Sequence, residues 1–365
     1  MRQFISNYAT NRVVWSLLIL APLALLLLIN PDSVEAHVKW FVEFDVAEQP
    51  MPIGEVLDKT FVYMFIASVI GCYLFFLADR YIYEEGYLAE FDKKLKLFDG
   101  LANAIMRVAA GIFFVSLFLW WALGYGDSFY ITPELKTTAP FVPWIHLIIG
   151  LCVVSRYTTP ITGIGIFLLW ILSVFQYGMF HMLDYVIFLG IAYFLTVSFT
   201  SSKGWLKSGF VVLFACTGLT LIWASVEKFA YADWTNPVFE KSPHMLMGMS
   251  PSTFMKLSGF MEFFNTFILL GAVSVVGRLV SLGLMSIFVL AIFEFGMVDA
   301  IGHLMIIAIL FVLVVRGPTD ARNMLVLPDK SLFTEAYFMT GLYYLAFVTI
   351  FLLYYGLHYL SFAPY

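Results

Sequence analysis

Charge-free apolar runs long enough to cross a bilayer recur along this chain, and that constrains its fold more than any other feature. Val13–Ile29, Phe61–Ala78 and Ala336–Leu357 each contain no Asp, Glu, Lys or Arg. A bilayer-spanning helix needs roughly 20 apolar residues, because lipid offers backbone groups no partner and the helix must satisfy them internally. A soluble domain burying all these runs at once would need far more polar surface than this chain has. Only 12% of its residues are charged and 61% are hydrophobic, against about 25% charged in an ordinary soluble domain. The predicted class is an all-α integral membrane protein. Eleven spans are expected, at approximately 13–30, 60–79, 105–125, 142–156, 160–176, 181–199, 209–226, 257–277, 280–295, 299–315 and 334–357. The first could also be a cleaved signal peptide cut before His37, but its length favours a retained span.

Basic residues set the predicted orientation. With the N-terminus inside, 14 of the 20 Lys and Arg face the cytoplasm and 6 face outward. Short loops obey this positive-inside bias. The chain is thus expected in the cytoplasmic membrane of a bacterium, with its C-terminus on the periplasmic side. A formal net charge of -5 excludes a general attraction to nucleic acid. Cys72, Cys152 and Cys216 lie in apolar runs without CxxC spacing, so no disulfide or thiolate metal site is expected. The segment at about 80–104 mixes Lys with Leu and Phe, as an amphipathic helix at the inner interface does.

Two stretches resemble each other. Phe175-Gln176-Tyr177-Gly178-Met179-Phe180-His181 parallels Phe293-Glu294-Phe295-Gly296-Met297-Val298-Asp299, and Arg156 and Arg278 each close an earlier span. This predicts two tandem four-helix units of parallel topology, related by an axis along the membrane normal. Shared apolar bias is the competing explanation. The expected divisions are 1–104 (two spans and the amphipathic segment), 105–208 (first unit), 209–320 (second unit) and 321–365 (final span).

The second unit also carries Glu227-Lys228-Phe229, Trp234, Gly259-Phe260-Met261-Glu262, Leu269-Leu270-Gly271, Arg278, Phe295-Gly296 and His303. On these residues it resembles the DoxX-like family of small four-helix membrane proteins. The first unit matches less well, with Pro143-Trp144-Ile145-His146 in place of the Gly-x-x-Glu segment. The chain also has Ala224 or Ser225 where the family pattern has Gly. The resemblance implies a link to membrane redox work, including quinone and thiosulfate oxidation. It bears on fold more than on function.

All six histidines fall toward the predicted outer face. Ionisable groups in hydrocarbon are costly and are normally turned inward and partnered. Glu262, His181, His303 and Asp184 are therefore candidate proton-exchanging residues, with His146, Glu294, Asp299 and Glu227 as further candidate ligand contacts. All of these but Glu227, which ends the seventh span, are expected to line a polar cavity between the units. The competing reading makes them helix caps and interhelical hydrogen bonds. His244, Met245 and Met247, with His37, form a second set of soft ligands suited to copper, or else interfacial packing. The expected function is a redox-associated membrane protein binding quinone or metal near the outer leaflet. Its partners would be membrane lipids and a redox subunit or a second copy. A transporter and a non-catalytic scaffold are the alternatives.

Overall fold

In a computed structural model, residues 44–317 and 331–362 are described, with Glu294 described by its backbone alone. The expected first span, His37 and the Glu294 side chain lie outside the described residues. The long helices are α1 (Lys59–Glu84), α2 (Ala89–Lys96), α3 (Ala102–Ala122), α4 (Val142–Cys152), α5 (Thr159–Met182) and α6 (Ile187–Val197). They continue with α7 (Lys203–Ala230), α8 (Pro251–Gly271), α9 (Val275–Phe295), α10 (Met297–Arg316) and α11 (Leu332–Phe362). A two-stranded antiparallel ribbon, β1 (Ser128–Phe129) and β2 (Lys136–Thr137), joins α3 to α4.

The chain is an all-α, multi-pass membrane protein. Among the described residues seven helices are long and apolar enough to cross a bilayer: α1, α3 (continuous with α2), α5, α7, α9, α10 and α11. A helix also stands at each of the three remaining expected positions, with differences. α4 and α6 have 11 residues each, or about 16 Å at 1.5 Å per residue, half the hydrocarbon thickness. α8 has 21 residues, but Lys256, Glu262 and Asn265 dilute its apolar character.

Sequence-local chemistry fixes the helix ends. Asp58 caps α1 by accepting from the Phe61 N–H, Ser250 caps α8 at Thr253, and Ser274 caps α9 at Val276. The start of α9 has a second support. Asp79, buried on α1, accepts from the N–H groups of Val273 and Ser274 and from the Ser274 hydroxyl. Arg107 of α3 donates to the carbonyls of Val153 and Val154, which α4 leaves open at its end.

From α3 to α10 each helix packs on its successor, and α10 returns to α3, closing a ring of eight. α1 and α11 pair with each other and lie against α8. Two apolar cores follow. The larger lies within the ring and takes in the ribbon tip through Ile131 and Leu135. The smaller is aromatic and joins α1, α11, α7 and α8 around Phe61, Phe229, Phe260, Phe263 and Phe347. The outer surface is apolar too. Val62, Ile66, Ile70 and Leu74 recur every fourth residue along the exposed face of α1, the stripe a lipid-facing helix presents. At one end of the ring two arginines are paired, Arg278 with Asp92 at 2.6 Å and Arg316 with Asp99 at 2.9 Å.

Candidate functional site

At the opposite end of the ring a cavity of about 110 Å³ opens between α5–α6, α7, α8 and α10. Four ionisable groups from separate elements reach it. Asp184 comes from the 3-10 turn Leu183–Tyr185, Glu227 from the last turn of α7, Glu262 from the middle of α8 and His303 from α10. Phe188, Leu221, Phe288, Met305 and Ile306 form most of the remaining wall. Thr132, from the ribbon tip, also faces it. Its hydroxyl is buried beside that of Tyr185.

These groups are held differently. Glu262 pairs with Lys228 of α7, which also donates to the Ala224 carbonyl. A carboxylate in the bundle is thus matched by a cation one helix away, which offsets part of the cost of removing both from water. His303 lies tilted against the Phe288 ring, with centroids 4.9 Å apart. Its Nδ1 lies 2.9 Å from Oδ2 of Asp299 one turn earlier, within ion-pair distance but off the line of the ring N–H. Asp299 itself is fully buried behind His303.

Backbone geometry puts both polar groups where they are. Gly178 has φ 81° and ψ 159°, and Gly296 has φ 84° and ψ -153°. This conformation is open to essentially no residue but glycine. Each glycine breaks its helix three residues before a polar side chain, His181 in one case and Asp299 in the other. Each follows, by three residues, a phenylalanine that is 83% exposed: Phe175 and Phe293.

The expected constellation is gathered in part. Asp184, Glu262 and His303 meet at the cavity, with Asp299 behind them, and Glu227, not among the expected cavity residues, joins them. His181 does not line it. Its Nε2 bonds Oε1 of Glu134, which the ribbon tip carries into the bundle, and Oε2 of Glu134 accepts from the Tyr185 hydroxyl. His146 is also elsewhere. It is fully buried and bonds the Tyr130 carbonyl at 2.8 Å, anchoring the ribbon to α4. Of the soft-ligand set, His37 lies outside the described residues. His244 and Met245 lie in the 3-10 turn Pro243–Leu246; Met245 packs toward Val238 and Phe295, while Met247 is exposed. Among the described residues no three His, Cys, Asp or Glu side chains gather as a metal centre.

Glu134 and Tyr185 were not foreseen. Pro133-Glu134-Leu135-Lys136 reads as an exposed loop. The one available signal is that Ile131 and Leu135 flank a carboxylate in a segment short of polar residues. No protein-family model, curated protein or solved structure matches this chain.

Proposed function

We propose that the protein binds the head group of a quinone in the inter-helical cavity and exchanges protons with it, as a subunit of a membrane electron-transfer complex. One observation carries the reading. Asp184, Glu227, Glu262 and His303 reach a single cavity whose other walls are aromatic and aliphatic. Apolar walls suit a flat ring, and a few convergent polar groups suit its carbonyl oxygens. Bound there, a quinone would supply two-electron, two-proton redox chemistry. His303 would hold one carbonyl, with the Asp299 carboxylate beside its Nδ1. Glu262, held by Lys228, would take or release a proton on the other side. The resemblance of 209–320 to DoxX-like proteins favours the same chemistry, as does the expected placement of the cavity near the outer leaflet of a bacterial cytoplasmic membrane. In this reading the helices α3–α6 and α7–α10 are the two tandem units, and an undescribed first span brings the count to eleven.

Titration of the detergent-solubilised protein with a short-chain ubiquinone, followed by calorimetry, tests this. Saturable binding is expected. His303→Leu should weaken it roughly tenfold or more, the loss of one hydrogen bond to an ionisable group. Equal affinity in wild type, His303→Leu and Glu262→Gln would remove the cavity from consideration.

A second reading, transport of a small polar solute, draws on the two matched glycine breaks at Gly178 and Gly296. Such breaks permit rigid-body rocking of two units. Solute flux into liposomes, lost on Glu262→Gln, would favour it over quinone binding.

A further inference from the structure

We infer that Glu134, His181 and Tyr185 form a proton relay between the outward end of the bundle and the inter-helical cavity. It rests on the quinone reading only for its purpose; the relay itself stands on geometry. Glu134 is a carboxylate carried by a loop into the bundle, and its side chain and that of His181 are almost fully buried. Burial of this kind is costly and needs compensation, and the compensation found is itself proton-active. Each carboxylate oxygen holds one labile hydrogen-bond partner, His181 Nε2 on one side and Tyr185 Oη on the other.

The three residues also link the ribbon side of the bundle to the cavity. The His181 ring is covered by Tyr177, with centroids 5.4 Å apart, and the Tyr177 hydroxyl donates to the Lys136 carbonyl at 2.6 Å at the exposed edge of the ribbon. Tyr185, at the other end, lines the cavity beside Asp184 and Thr132. The remaining titratable groups facing the cluster are Tyr130 of the ribbon, Tyr177 of α5 and Asp184 of the turn. Among the described residues His181 is the one basic side chain that bonds Glu134.

The transfer balances without a tyrosinate. A protonated His181 gives its Nε2 proton to Oε1 of Glu134. The resulting acid rotates about its Cγ–Cδ bond, which carries that proton to the Tyr185 side, and gives it to the Tyr185 oxygen as the phenol's own proton passes to water or a carboxylate in the cavity. One proton has crossed, and His181, Glu134 and Tyr185 end as neutral imidazole, carboxylate and phenol. Re-protonation of His181 from the outer side resets the chain. A purely structural cluster would hold the same contacts but leave protonation rates in the cavity unchanged.

The test is kinetic. Protein in phosphatidylcholine vesicles is subjected to a rapid drop in external pH, and protonation of the cavity carboxylates is followed in the infrared. The Glu262 band is assigned by its loss in Glu262→Gln. Glu134→Gln, His181→Gln and Tyr185→Phe should each slow the relaxation at least tenfold while leaving its final amplitude unchanged. Unchanged rates in folded variants overturn the relay. If the Glu134 or His181 variant fails to fold, Tyr185→Phe, which keeps the ring and loses only the hydroxyl, decides the matter. Slowed relaxation with no ubiquinone binding sinks the quinone reading alone, and intact binding with unchanged relaxation sinks the relay alone.

Discussion

The junctions at Gly178 and Gly296 share a backbone and differ in what covers them. Both glycines adopt the same extended, positive-φ conformation, and both follow an outward-facing phenylalanine. After Gly178, the polar residue His181 is capped by a carboxylate delivered from a distant loop. After Gly296, Asp299 meets no such loop and turns instead to His303 on its own helix. The first arrangement seals a polar group beneath the ribbon; the second presents an imidazole to the cavity. One turn can therefore serve two purposes, and the neighbouring segment chooses between them.

The largest effect should separate the junctions cleanly. Glu134→Ala leaves His181 and Tyr185 buried without their shared acceptor, and stability in detergent should fall by about 3–5 kcal/mol. A loss under 1 kcal/mol would mean that the ribbon does not seal the first junction. Next in size are the glycines. Gly178→Ala and Gly296→Ala force alanine into a conformation costing about 1–3 kcal/mol, and the two losses should agree if the turns are equivalent. At Gly178 nothing lies within 4 Å of an added Cβ, so backbone strain alone is measured there. Asp299→Asn should cost about 1 kcal/mol or less, since neither carboxylate oxygen accepts a hydrogen bond, yet it should weaken ubiquinone binding through His303. A larger stability loss than for Glu134→Ala would reverse the comparison.

The smallest effect lies away from both junctions. Lys256 donates to Asp58 at 2.6 Å and holds its carboxyl below the usual carboxylate range. Because the folded value is the lower one, the contribution is present above the unfolded value near 3.9. It is lost as pH falls through the folded value, so the window lies below about pH 4. Asp58 is partly exposed, and well under 1 kcal/mol is expected. Thermal unfolding of Asp58→Asn against wild type at pH 6 and pH 3 measures it. The difference between the two proteins should shrink at the lower pH.

Much of the architecture was legible because lipid enforces it locally. The Phe61–Ala78 run and the Ala336–Leu357 run became α1 and α11, since an apolar stretch in hydrocarbon has no alternative to a helix. The ends were less legible. The run at 142–156 continues past Cys152, but Arg107 from another helix takes the Val153 and Val154 carbonyls and the helix stops. The site was legible by halves. Glu262, His303 and Asp184 were visible as ionisable groups in apolar surroundings, whereas Glu134 looked like any loop acid. Its role depends on the ribbon entering the bundle, which no local pattern encodes.

The sequence by itself determined the membrane class, the helices and the glycine-marked breaks, because these follow from apolar length and from the conformations glycine alone can adopt. Only the tertiary structure decided that His181 bonds Glu134 while His303 faces the cavity. His181 lies three residues beyond the Gly178 break and His303 seven residues beyond the Gly296 break. What separates them is the long-range packing of the ribbon against α5, a contact between residues 47 positions apart.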